Sequence, residues 1–181
     1  ETEDDNYNRP PNFPFTPGTP PLQLPEGCAI RAPAGSRLRM QMHYEPVGVA
    51  VEDRTYIGLR YLDPAKVKGQ VVYDSVFPLQ KISVSPGDPD SAAVGRHYFA
   101  RDAVLLALLP HLHVRGKSFK FTLQTPDGSR RTILDVPRYE FEWQFLYSFA
   151  EPLQVPAGSV MVCNGVFDNS PENPDNPDPK V

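Results

Sequence analysis

Apolar and polar residues alternate one for one along several stretches of this chain. On an extended backbone that period sorts side chains onto two faces. In SRLRMQMHY (36–44), Leu38, Met40 and Met42 fall on one face and Arg37, Arg39, Gln41 and His43 on the other. RTYIGLRYL (54–62) is a second strand candidate, and GQVVYDSVFPLQKISVSPGDPDS (69–91) holds one or two strands and then a turn-rich loop. HYFARDAVLLALLPHLHV (97–114) reads as a strand, a short turn opened by Asp102, and an apolar strand. A helix over RDAVLLALL is the alternative, disfavoured because the run is short and Pro110 stops it. SFKFTLQTPDGSRRTILDV (118–136) is the clearest hairpin: Phe119, Phe121 and Leu123 alternate, PDGS reverses the chain, and 132–136 returns. In YEFEWQFLYSF (139–149) the aromatics Tyr139, Phe141, Trp143, Phe145 and Tyr147 alternate with Glu140, Glu142, Gln144 and Leu146, the pattern of one long half-buried strand. GSVMVCNGVFDNS (158–170) is the last strand.

About eight strands with irregular connections predict an all-β fold, an antiparallel jelly-roll-like β-sandwich with proline-rich extended termini. Residues 1–26 form a proline-rich arm, 27–66 and 67–170 carry the strands, and the Asn/Pro/Asp tail 171–181 lies extended on a surface. One internal echo stands out. PAGSRLRMQMHYEP starts at Pro33 and PAGSVMVCNGVFDNSP at Pro156, each a turn feeding an alternating stretch that ends in an aromatic and an acid. Either two related sandwich motifs or a commonplace turn before a strand accounts for it.

Composition narrows the functional classes. With 22 prolines and 12 glycines, long helices are disfavoured. The net charge of −4 and the lack of a basic stripe argue against a nucleic-acid partner. The longest apolar run, 103–110, is too short to span a bilayer. Glu1-Thr2-Glu3-Asp4-Asp5 reads like a processed or truncated N-terminus. Cys28 and Cys163 are too few to fix the redox compartment, and they could pair with each other, pair elsewhere, or stay free.

The chemistry concentrates in LLPHLHVRGKSF (108–119). His111 and His113 stand one residue apart, so on a strand both imidazoles project from one face, roughly 6–7 Å apart at Cβ. Such a pair suits a zinc, copper, iron or nickel ion, and equally two exposed histidines bonded to backbone or water. The Gly116 turn directly after them favours the metal reading. His43 lies on the polar face of its stretch, and His97 in GRHYF reads as a surface residue. Met40, Met42 and Met161 could be thioether ligands for copper, but core packing is the better account of each. SPGDPDS and the Asp/Asn-rich tail could hold calcium, but solvated turns explain them better. PAGSV lacks the second glycine of a nucleophile elbow, and no glycine-rich phosphate loop is present.

LLPHLHVRGKSF, PDGSRRTILDVPRYEFEWQFLYSFAEPLQVPAGS and VFDNSPENPDNPDP together resemble the copper type II, ascorbate-dependent monooxygenases. This is the family of peptidylglycine α-hydroxylating and dopamine β-monooxygenases, and the likeness is to bacterial relatives of its C-terminal domain. PEGCAIRAPAGSRLRMQMHYEPVG and DRTYIGLRY resemble the stretch that joins its two sandwiches, so the resemblance covers residues 20–180. It implies two jelly rolls, each with one copper. His111 and His113 match the His-x-His pair of the catalytic copper, and His43 in QMHY matches the third histidine of the electron-relay copper. The family's methionine ligand lies beyond Val181, and Met161 is not at its place. Cys163 resembles a cysteine whose disulfide partner also lies beyond Val181. The adjacent His-His pair of the relay copper is not present.

Two expectations follow. One is a chain that is not catalytic by itself and serves as a structural or docking subunit, with protein partners in a larger assembly such as a membrane-bound redox complex. The other is a copper-binding monooxygenase fragment hydroxylating a C–H bond. The resemblance implies a periplasmic or secreted location in either case. A metal-free, ligand-binding sandwich is a third reading, supported only by the aromatic row of 139–147.

Overall fold

The computed structural model describes residues 13, 15–16, 18–44 and 46–180. Most of the N-terminal arm therefore lies outside the described residues. Contacts divide the chain into two compact units, Pro21–Tyr73 on the one hand, and Asp74 onward with the described part of Phe13–Pro20 on the other.

The Pro21–Tyr73 unit has little regular structure. β1 (Cys28–Ala29) and β2 (Gly69–Gln70) pair in parallel, with Cys28 opposite Gly69. A 3-10 turn, Pro64–Lys66, precedes β2. Asp63 caps it by accepting from the Ala65 amide at 3.0 Å, and Pro64 sits where no donor is needed. The strands expected over 36–44 and 54–62 are not present: both stretches are irregular and almost wholly exposed. Leu38 is 64% exposed and Met40 53%, so neither Met40 nor Met42 packs in a core as expected. Their alternation has no partner strand among the described residues, and the backbone polar groups face solvent instead of a ladder.

In the second unit the period-2 pattern does produce strands. They are β3 (Ser91–Tyr98), β4 (Ala103–Leu108), β5 (Gly116–Gln124), β6 (Arg130–Val136), β7 (Tyr147–Val155) and β8 (Val160–Phe167). One antiparallel sheet runs β3-β8-β5-β6 and the other is the antiparallel pair β4-β7. Leu105 and Leu108 of β4 and Phe149 of β7 pack against Phe121 of β5 and Met161 and Cys163 of β8, so the core lies between two sheet layers. The fold is thus all-β and sandwich-like, as the alternation predicts. RDAVLLALL is a strand and not a helix. β8, paired on both sides, is buried along most of its length. Among the described residues no helix is long and apolar enough to cross a membrane.

The hairpin of β5 and β6 turns at PDGS. Gly128 takes φ +86, and the Asp127 carboxylate accepts from the Thr125 and Ser129 hydroxyls and the Ser129 amide. Those bonds hold the Asp127 carboxyl below the usual carboxylate range. The aromatic row of 139–149 departs from expectation. Only its end, from Tyr147, belongs to a strand; 139–146 forms a looped segment in which Tyr139 is buried and Trp143 is 62% exposed. The tail follows a surface, but through successive turns in which Asn173 and Asn176 side chains accept backbone amides.

Candidate metal site

His111, Leu112 and His113 follow β4 as irregular chain outside any ladder, exposed, buried and exposed in turn. The alternation expected of a strand therefore holds without a strand. Both imidazoles emerge on one side, with ring centroids 5.3 Å apart and planes at 78°. The structure brings these two predicted ligands together.

Leu112 is the anchor between them. It packs with Tyr139 and Phe167 in a second small core, against Val84, Ala93, Phe119 and Val136. The Tyr139 hydroxyl accepts from the Leu112 amide at 3.0 Å and donates to the Leu112 carbonyl at 2.8 Å. One phenol thus satisfies both backbone groups of a buried residue that no neighbouring strand reaches. Burial pushes the Tyr139 hydroxyl above the usual tyrosine range, which keeps it a neutral donor. The chain then turns, the Gly116 amide donating to the His113 carbonyl at 2.7 Å. Gly116 is required here by crowding, not by a left-handed backbone. A Cβ on it would meet Tyr139 Cδ1 at 2.7 Å, Leu112 Cβ at 2.8 Å and the His113 carbonyl oxygen at 3.0 Å. Gly165 of β8 gives Leu112 room in the same way, a Cβ there lying 3.0 Å from Leu112 Cδ2.

The loop that carries Tyr139 also reaches His111. Gln144 Oε1 lies 2.5 Å from His111 Nδ1, and its amide nitrogen donates to the Phe141 carbonyl at 2.7 Å. In the alternation of 139–149, Tyr139 and Gln144 fall on opposite faces of a strand, where neither has a role at the histidine pair. A loop brings both to the His-x-His segment, and period-2 reading has no signal for that.

Arg115 fixes the other flank. Its Nε donates to the Asn169 and Asn176 side-chain oxygens at 2.9 and 3.0 Å, and its Nη2 to the Asp178 carbonyl at 3.0 Å. Asn169 is fully buried and donates to the Ser85 carbonyl at 3.0 Å. The RGKSF sequel of the pair thereby ties the Asn/Pro tail to the sandwich.

The other candidates fall elsewhere. His43 lies in the Pro21–Tyr73 unit on an exposed, irregular stretch. His97 is half-buried and not a surface residue: Nδ1 sits 3.0 Å from Asp74 Oδ2, and the ring packs edge-on to Phe99. Met161 is core, as expected. Cys28 and Cys163 are both free thiols, and burial pushes the Cys163 thiol up to about 12. Asp88 and Asp168 cap their own loops through Ser91 and Ser170, the solvated turns anticipated for these acidic stretches. Among the described residues no group of three or more His, Cys, Asp or Glu converges on one point.

The donor set fits a transition metal in part. Two exposed imidazoles side by side offer nitrogen donors of the kind copper, zinc or nickel takes, with further positions open to other ligands or water. No protein-family model and no curated protein matches the sequence.

Proposed function

We propose that this sandwich is a copper-binding domain of the type II monooxygenase kind, with His111 and His113 holding the ion. What carries the reading is the pair of side-by-side rings projected from a segment whose middle residue is locked into the core. The resemblance of LLPHLHVRGKSF to the family selects copper among the metals that imidazole suits. Copper bound there supplies one-electron chemistry with dioxygen, and the reaction class is hydroxylation of a C–H bond with ascorbate as reductant. The chain's own contribution is positional. Leu112 and Tyr139 hold the backbone between the ligands, and Gly116 turns the chain away from them. His43 carries its relay role, and the chain its periplasmic or secreted location, only through the resemblance. Calorimetric titration with copper(II) tests the reading. Stoichiometric uptake lost in His111→Ala and in His113→Ala, and kept in His97→Ala, supports it; no uptake, or uptake indifferent to both substitutions, overturns it.

A second reading is a structural or docking subunit of an extracytoplasmic assembly. It is favoured by the exposed apolar side chains Leu38, Met40, Tyr56 and Leu59 of the Pro21–Tyr73 unit. Native mass measurement of the protein in extracts of its own cells decides it. A stable heteromeric complex supports the reading, and a free monomer counts against it.

A further inference from the structure

We propose that Gln144 is a positioning residue that selects the metal-facing nitrogen of His111, an inference that rests on the copper reading above. The Gln144 amide bridges two partners. Its nitrogen donates to the Phe141 carbonyl at 2.7 Å, an oxygen that can only accept, so the orientation of the amide is fixed by its partner. The end turned toward His111 is therefore Oε1, also an acceptor only, 2.5 Å from Nδ1. A contact that short between an acceptor and a ring nitrogen is favourable only when the nitrogen carries the hydrogen. His111 is thus held as the Nδ1–H tautomer, and its lone pair resides on Nε2. A metal ion at the pair meets His111 through Nε2 alone.

The support behind Gln144 has several parts. The Phe141 carbonyl belongs to the same 139–146 segment, which is pinned at its start by the bonds of Tyr139 to Leu112. Thr16 adds a hydroxyl contact to the Gln144 carbonyl at 3.5 Å. One loop therefore sets two things: Tyr139 fixes where the backbone between the ligands lies, and Gln144 fixes the ring rotation and proton placement of the first ligand. Hydrogen bonds of this kind from the far nitrogen of a ligating imidazole orient the ring and raise its basicity.

The test uses the 181-residue protein and has two readouts. Long-range nitrogen–proton correlation spectra of the metal-free chain, recorded above the pH range of imidazole protonation, report the tautomer of each histidine. His111 is expected as Nδ1–H in the wild type and to move toward Nε2–H in Gln144→Leu, which removes the acceptor. Copper(II) titration is expected to show Gln144→Leu weakened by about 10–100-fold relative to wild type. A wild-type His111 found as Nε2–H, or a Gln144→Leu variant with unchanged tautomer and unchanged copper affinity, overturns the proposal while leaving the copper reading intact. If the tautomer follows Gln144 but wild type takes up no copper, the copper reading falls, and with it the claim about the metal-facing nitrogen.

Discussion

The same four residues, Pro-Ala-Gly-Ser, open two alternating stretches with different fates. At 33–36 and at 156–159 the local geometry is nearly identical. Gly35 and Gly158 take φ +79 and +81, and the Ser36 and Ser159 amides donate back to the Pro33 and Pro156 carbonyls at 3.1 and 3.2 Å. After Ser159 the chain becomes β8, hydrogen-bonded to β3 on one side and β5 on the other. After Ser36 it stays irregular and exposed. Turn chemistry and period-2 patterning are therefore satisfied equally in both. The difference is made by neighbours: Val160–Phe167 has two strands to bond and a second layer to bury against, and 37–44 has neither among the described residues. Strand formation here is a property of the pairing, with the pattern only permitting it.

The sharpest way to break this comparison is to truncate equivalent positions. Met161 and Leu38 each stand two residues after the serine. Met161→Ala is expected to destabilise the sandwich by roughly 2–5 kcal/mol, because it opens a cavity between the layers. Urea unfolding measures it, and a loss below about 1 kcal/mol would contradict the two-layer core. Next in size is Tyr139→Phe, which leaves the Leu112 amide and carbonyl without their partner and is expected to cost about 1–3 kcal/mol. An unchanged unfolding midpoint would mean that water replaces the phenol and that Leu112 is not clamped by it.

A third effect depends on pH. Folding raises the Cys163 thiol from 9.0 to about 12, so the unfolded chain gives up that proton first. Its contribution to stability is complete below about pH 9 and is lost as pH rises toward 12, at no more than about 1.4 kcal/mol per pH unit. Cys163→Ala should flatten the alkaline limb of a stability-against-pH series, and a limb equally steep in the variant would show that Cys163 is not its source. The smallest effect closes the comparison. Leu38→Ala should move stability by no more than about 0.5 kcal/mol, and amides of 37–44 should exchange with solvent far faster than those of Val160–Phe167. Slow exchange in 37–44 would reveal a partner for that stretch.

β4, β5, β6 and β8 were legible because each carries its own evidence: alternation in Phe119, Phe121 and Leu123, a PDGS turn, a proline at the end of the apolar run; β3 was legible only at its His97–Tyr98 end, and β7 only from Tyr147 to Phe149. The pairing of His111 with His113 was legible for the same reason, since i and i+2 share a side on any extended backbone. The failures share one cause. The stretches 36–44, 54–62 and 139–146 alternate as well as the true strands do, and alternation does not reveal whether a partner strand arrives. Tyr139 and Gln144 were missed because their roles arise from a loop folding back about thirty residues along the chain, and that closure leaves no periodic trace. Arg115 carries no signal beyond its place in RGKSF, and its partners Asn169, Asn176 and Asp178 lie more than fifty positions away.

The phenol clamp on Leu112 bears on how the copper ion proposed above would come and go. Small zinc-dependent domains collapse when a chelator strips their metal, because the ion itself holds the chain together. Here the tweezer is set by apolar packing and one hydroxyl, both present in the bare polypeptide. If copper binds as proposed, a chelator should remove it without unfolding the sandwich, lowering the melting temperature only by the linkage of binding to the folded state, and reloading should need no refolding step.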